Sequence, residues 1–287
     1  MIGWIRSLEK KLLQRRSERT RRNNIKTYLK NGRIPWSIGY HEYRSGQIAA
    51  AIHASPQQID RWARGLDERI VEIPWIFNQL SKTSGKLLDA GSSLNHDYIL
   101  DHALVKNKDL TICTYYPESF ARLSQRISYV FADLRSMPFR DGWFDEIACI
   151  STLEHIDMDN SMYGYEAVNA AHGIKKSYSY LLAVAEMVRV LKNGGRLLIT
   201  VPFGKFENHG FFQQFDEDMI VRLTNELTGK GSWETTFFKY LPTGWTQSIL
   251  SECLNAESFN PHTGIGKKDD GAAHSRAIGC IAFTKKT

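Results

Sequence analysis

Four cysteines in 287 residues are too few and too scattered to staple a fold. Cys113, Cys149, Cys253 and Cys280 make no C-x-x-C pair, so neither a zinc site nor a redox couple is indicated, and no metal is expected. Cys113, Cys149 and Cys280 fall in apolar, strand-like stretches, which reads as buried free thiols in a reducing compartment. No run of about 18 apolar residues occurs, so no membrane-spanning helix is expected. Arg6, Glu9, Lys10 and Lys11 interrupt the first residues where a secretory signal would be apolar, and no small-residue cleavage site follows, so the expected location is cytoplasmic. Most of the chain also lacks an excess of positive charge. Residues 1–30 hold ten Lys/Arg against two acids, a net +8, while the remainder holds 27 basic and 29 acidic residues, a net −2. The pI near 9.0 therefore belongs to an N-terminal arm, and the body lacks the basic stripe that nucleic-acid binding usually needs. Internal repeats and low-complexity tracts are missing too.

The arm, residues 1–30, has a helical pattern: Trp4, Ile5, Leu8, Leu12 and Leu13 share one face among Arg and Lys. Such a helix packs on the domain, frays in solution, or lies peripherally on an anionic membrane surface. Residues 31–84 read as a helical cap, with helices over Ser45–His53, Ser55–Leu66 and Ile70–Leu80, whose Tyr40, Tyr43, Trp62 and Trp75 suit a core or a pocket wall. From 85 to 287 the rhythm changes to strand-then-helix. Strands are expected at Lys86–Ala90, Leu110–Thr114, Ile127–Phe131, Trp143–Ile150, Arg196–Val201 and Arg276–Thr284. Helices are expected at Leu94–Val105, after Pro117, and at Tyr178–Leu191 before the Asn193-Gly194-Gly195 stop. Alternation of this kind implies a doubly wound, mostly parallel α/β sheet.

In such a sheet ligands bind at the carboxyl ends of the strands. The first strand end, Asp89-Ala90-Gly91-Ser92-Ser93-Leu94-Asn95, offers a tight turn, a helix N-terminus for a carboxylate and an acid for an ammonium group. The third offers Asp133 for an exocyclic amine, with Leu134 and Met137 able to flank a flat ring. The fourth ends in Ser151-Thr152-Leu153-Glu154-His155, where a Glu-His pair suits a base and its orienter, or simply a helix cap and a solvent-facing histidine.

The stretches ADLRSMPFRDGWFDEIACISTLEHI and EMVRVLKNGGRLLITVPFG resemble the class I S-adenosylmethionine-dependent methyltransferases of the small-molecule type. The resemblance spans roughly residues 85–203. It implies a Rossmann-like, seven-stranded sheet and S-adenosylmethionine as cofactor. Asp89 and Gly91 would contact its methionine part, Asp133 its adenine amine, Leu134 the ring, and Ser151 the space below the sulfonium. Two departures stand out. The family's D/E-x-G-x-G-x-G turn keeps one glycine here, so Ser93 and Asn95 would substitute side-chain hydrogen bonds, and Thr114 stands where the family ends its second strand with a ribose-binding acid.

A sulfonium methyl is already activated, so the protein's tasks are alignment and water exclusion, with a general base for an oxygen or nitrogen acceptor. His155, Glu154 and His209 are the candidate bases. His209 lies in the aromatic segment Phe203–Asp216, whose Asn, His and Gln suit a polar ring such as a sugar. The insert Asp157–Lys176 reads as a lid carrying Tyr163, Tyr165 and His172, with Tyr240, Trp245 and Gln247 near the same mouth. The expected function is methyl transfer to a small polar acceptor, a sugar or glycan precursor. The rivals are an RNA methyltransferase anchored by the arm, nucleic acid being disfavoured by the body's charge, and an inactive scaffold that keeps the fold. A nicotinamide dehydrogenase is disfavoured, because the first turn lacks G-x-G-x-x-G.

Overall fold

The computed structural model describes residues 2–31, 38–54, 62–117, 121–122, 127–161 and 175–287. Three helices precede the sheet: α1 (Ile2–Asn31), α2 (Ile38–His53) and α3 (Arg69–Gln79). Residues 11–23 of α1 are exposed throughout, and in its last turns Tyr28 packs edge-on to Tyr40 with ring centres 5.5 Å apart. Helix α3 is apolar on every side, with Ile70, Val71, Ile73, Trp75, Ile76 and Phe77 all buried. A helix of that composition has to be enclosed, and α3 lies between the sheet and α2. Part of the expected Ser55–Leu66 helix lies outside the described residues; Trp62 instead bridges the backbone of Trp245.

The sheet has eight strands: β1 (Lys86–Ala90), β2 (Asp109–Thr114), β3 (Ser128–Phe131), β4 (Phe144–Ile150), β5 (Leu191–Pro202), β8 (Gly231–Leu241), β9 (Gly244–Ser248) and β10 (Ala277–Lys285). Their spatial order is β3-β2-β1-β4-β5-β10-β8-β9. The first five are parallel, and β10 runs antiparallel between β5 and β8. The fold is the expected doubly wound α/β sheet with an N-terminal helical extension. It has one strand more than seven, because β8 folds back at Leu241–Gly244 into β9. A short ribbon, β6 (Glu207–Asn208) with β7 (Gln213–Gln214), stands apart.

Period-two alternation sends successive side chains to opposite faces. Leu87, Ala148 and Leu198 join the core under α2 and α3. Leu88, Ile147, Cys149, Leu197 and Ile199 join the core under α6 (Tyr180–Val190) and α7 (Glu217–Leu227). Both faces are covered, so the central strands read as near-continuous apolar runs. All four cysteines are free and buried.

The helix expected over Leu94–Val105 is two single turns, α4 (Asp97–Leu100) and α5 (Ala103–Lys106). The break falls at His102, whose backbone is extended and whose Nδ1 accepts from Leu104 N at 3.2 Å. A side chain bonding its own backbone competes with the helical ladder. The His102 ring also packs on His53 at 4.6 Å and on Phe77 at 5.0 Å, which ties the break to the cap.

Candidate functional site

The chain leaves β1, steps outward to β2 and β3, and returns to β4 on the other side of β1. The crevice at the carboxyl ends of β1 and β4 is therefore the topological switch point. Asp89 is fully buried there, and its Oδ2 accepts from Leu94 N at 2.8 Å. Gly91 has φ +117°, and a Cβ on it would lie 2.1 Å from Thr152 Oγ1, so this turn admits only glycine. Ser92 also sits at positive φ, +66°. At the two positions where glycines were expected, Ser93 Oγ donates to the Ile150 carbonyl at 2.8 Å and Asn95 Oδ1 accepts from Tyr129 OH at 3.0 Å. Side chains stitch this turn to β4 and β3. Thr114 is buried at the end of β2, and its carbonyl accepts from Ala132 N at 3.0 Å.

After β3, Asp133 is gripped by Arg135, with Nη2 to Oδ2 at 2.7 Å and the Arg135 backbone N–H to Oδ1 at 2.8 Å. Partial burial works to raise the Asp133 pKa, but the Arg135 hydrogen bonds outweigh it and hold the carboxyl below its ordinary range. Arg135 reaches on to Asp157 at 2.6 Å, which also accepts from Ser177 Oγ at 2.8 Å. Both members of the Asp133–Arg135 pair are about one-third exposed, so the pair is easily opened, at about 1 kcal/mol or less. Leu134 and Met137 are buried beside it.

Strand β4 ends at Ser151, held at φ +46°, and a 3-10 turn follows over Leu153–His155. Ser151 Oγ bonds Glu154 Oε1, while Glu154 Oε2 is buried with no partner among the described residues. Burial pushes the Glu154 carboxyl up to about 8, so it is protonated at neutral pH. His155 Nδ1 lies 2.7 Å from the Phe211 carbonyl, which assigns the proton to Nδ1. Burial lowers its pKa to about 4, and a group held neutral so far down is a weak base. His209 stacks on Phe212 at 4.6 Å and places Nε2 2.9 Å from Ser258 Oγ and 3.8 Å from Glu207.

The sequence reading missed what the cap contributes. Asp67, Glu68 and Arg69 at the start of α3, with Tyr40 and Arg44 of α2, face the same strand ends. Asp67 Oδ2 takes Arg44 Nη1 at 2.5 Å and Tyr40 OH at 2.7 Å. Glu72, fully buried, pairs with Arg69 and accepts from Thr200 Oγ1 on β5 at 2.7 Å. Glu68 Oε1 lies 2.8 Å from Nδ1 of His274, just before β10. Arg69 also lies within electrostatic reach of Glu154. The available signal was Asp67-Glu68-Arg69 and Glu72 leading into an otherwise apolar helix, since charges are rarely buried unless paired.

Tyr163, Tyr165 and His172 of the expected lid lie outside the described residues. Trp245, expected at the acceptor mouth, is instead fully buried core, its indole N–H donating to the Leu66 carbonyl at 3.0 Å. Tyr240 is likewise spent on the cap, accepting from Gly65 N and donating to the Gly271 carbonyl, each at 2.9 Å. An open cavity of about 380 Å³ lined by Gly85, Asp145 and Lys192–Arg196 lies at the amino ends of β1, β4 and β5, the wrong end for a ligand in this fold.

The donor set at the crevice suits an adenosyl group. With an adenosyl group bound there, Asp133 would offer an acceptor to its exocyclic amine once released from Arg135, and Leu134 and Met137 would offer an apolar wall to its ring. Glu154 Oε2 is a buried polar atom with no described partner deeper in. The methionine end is tighter, because Thr152 occupies the space beside Gly91 that the resemblance assigns to the cofactor.

Residues 90–199 match the family model described as a methyltransferase domain. No curated protein matches the chain. Among solved structures, it is similar to the 1,6-didemethyltoxoflavin-N1-methyltransferase of Burkholderia thailandensis, at 15% identity over 71% of this chain and 72% of that one, with a TM-score of 0.41. It is also similar to the N-methyltransferase NodS of Bradyrhizobium japonicum, at 13% identity over 85% of this chain and 99% of that one, with a TM-score of 0.44. The family match runs from the end of β1 into β5 and so takes in the switch-point crevice.

Proposed function

We propose that this protein transfers the methyl group of S-adenosylmethionine to a small polar acceptor, a sugar or sugar-bearing precursor, held between the cap and the strand ends. The observation that carries this reading is the buried polar network facing β4 and β5. It presents donors (Arg44, Arg69 and the protonated Glu154) beside acceptors (Asp67, Glu68 and Glu72). Groups of both kinds suit a neutral polyhydroxy molecule, whose hydroxyls donate and accept, and Glu68 Oε2 and Glu154 Oε2 are buried there with no hydrogen-bond partner among the described residues. When bound, S-adenosylmethionine supplies an activated methyl group. The chain's own residues orient the acceptor and exclude water.

Helix α1 extends the proposal. Residues 11–30 carry eight Lys/Arg against one acid, Glu18, and all nine of these side chains are exposed. A helix so charged is drawn to an anionic membrane surface, at about 1 kcal/mol per basic residue near it, which suits a lipid-linked acceptor. No helix among the described residues is long and apolar enough to cross a membrane.

Calorimetry with S-adenosylhomocysteine tests the cofactor half of the proposal. Binding is expected, with Asp133→Ala weakening it at least tenfold, about 1.4 kcal/mol. No heat at millimolar ligand would refute it. Loss of one methyl unit from a glycan precursor in cells without the protein tests the acceptor half, and an unchanged glycan pool would count against it.

A further inference from the structure

Proton removal from the acceptor is unassigned among the histidines at the strand ends. His155 commits Nδ1 to the Phe211 carbonyl and is held neutral by burial, and His209 places Nε2 against Ser258. A third histidine is arranged differently. His274 Nδ1 lies 2.8 Å from Glu68 Oε1, while its Nε2 is buried with no hydrogen-bond partner among the described residues. The His274 ring packs 4.9 Å from Phe212, the same ring that stacks on His209 at 4.6 Å and lies 6.3 Å from His155. Two residues further on, Arg276 leads into β10, whose Ala277 carbonyl accepts from Phe203 N at 2.9 Å, so His274 stands beside the end of β5. Glu68 directly precedes α3 and carries the dyad's negative charge from the cap side.

We propose that His274 is the general base for methyl transfer and that Glu68 is its positioning residue, the two forming a dyad assembled only when the cap meets the body. The proposal rests on the methyltransferase reading above and deepens it. A carboxylate on Nδ1 fixes the tautomer that leaves the Nε2 lone pair available, and it stabilises the imidazolium that forms. As the acceptor hydroxyl oxygen bonds the methyl carbon, the carbon–sulfur bond breaks and its electron pair stays on sulfur, which loses its positive charge. The hydroxyl proton passes to His274 Nε2, and the resulting imidazolium is neutralised by Glu68 until the proton leaves to solvent. Among the described residues, the other charged or titratable groups that act on the dyad include Asp67, Arg69, Glu72 and His155. Phe212 and Phe259 close its apolar sides.

The test uses the full chain labelled with ¹⁵N-histidine, the His274 signals being assigned by their loss in His274→Gln. At mildly alkaline pH the wild type is expected to carry its proton on Nδ1 with Nε2 bare. Glu68→Ala should return the ring toward the Nε2–H form that free imidazole prefers, a change that a merely structural role for Glu68 would not produce. Both variants should bind S-adenosylhomocysteine within about threefold of wild type. With S-adenosylmethionine and a panel of monosaccharides and nucleotide sugars, His274→Gln should lose roughly 10²- to 10⁴-fold in turnover of whichever sugar the wild type methylates, partly restored by added imidazole. A proton on Nε2 in the wild type, or turnover by His274→Gln within threefold, overturns the dyad. Absence of S-adenosylhomocysteine binding instead strikes the cofactor reading. A wild type that binds it yet ignores every sugar strikes the acceptor reading, and the tautomer then decides the dyad alone.

Discussion

Replacing Gly91 by alanine separates two explanations for the single glycine kept in the first turn. The structure gives it a packing role. At φ +117° any side chain is strained, at about 1–3 kcal/mol. The added methyl would also stand 2.1 Å from Thr152 Oγ1 and 2.5 Å from its Cγ2, so Thr152 must rotate away. That rotation breaks the Thr152 hydroxyl bond to the Ile150 carbonyl, now 3.0 Å, for about 1 kcal/mol more. Overpacking adds roughly 1–3 kcal/mol. Gly91→Ala should therefore destabilise the protein by about 3–7 kcal/mol, read as a lower urea midpoint at unchanged slope. Thr152→Ala removes both close atoms and leaves one contact at 2.8 Å, so in that background Gly91→Ala should cost about 2 kcal/mol less. Equal costs in the two backgrounds would refute the packing argument. So would a Gly91→Ala protein of wild-type stability that has lost S-adenosylhomocysteine affinity, since the glycine would then serve the ligand and not Thr152.

Lys108 and Glu146 form a buried pair at 2.5 Å, with side chains 1% and 6% exposed. Glu146→Ala strands the ammonium beside only the Thr83 carbonyl and should cost about 3–5 kcal/mol, while Lys108→Met with Glu146→Leu should cost far less; equal losses in thermal or urea unfolding would contradict this. Stability should also fall as pH rises from about 6.5 to 8. The folded state holds a proton on Glu154 that the unfolded chain has released, whereas the depressed His155 acts in the opposite direction only below pH 6.5. The loss across that window is about 2 kcal/mol at most, and Glu154→Gln should flatten it; an unchanged slope in that variant would assign the effect to another group.

The parallel strands β1 to β5, helix α6 and the crevice they frame were legible in the amino-acid sequence. Each was legible because local signals agreed: apolar runs of strand length, the Asp141-Gly142 turn and the Asn193-Gly194-Gly195 stop. The bond from Leu94 N to Asp89 follows from the same turn, whereas Ser93 meets Ile150 across 57 residues and Asn95 meets Tyr129 across 34. What the cap does depends on long-range pairing. Glu72 meets Thr200 across 128 residues of chain, and Glu68 meets His274 across 206. No periodicity encodes a pairing at such separation, because each partner alone looks like an ordinary solvated charge. The break at His102 was hidden for the same reason, since it depends on ring contacts with His53 and Phe77. Local propensity sets which segments become strands and helices, whereas burial sets which charges must find each other. An ion enclosed without a partner costs several kcal/mol, so the folded chain pairs charges that the linear sequence leaves far apart.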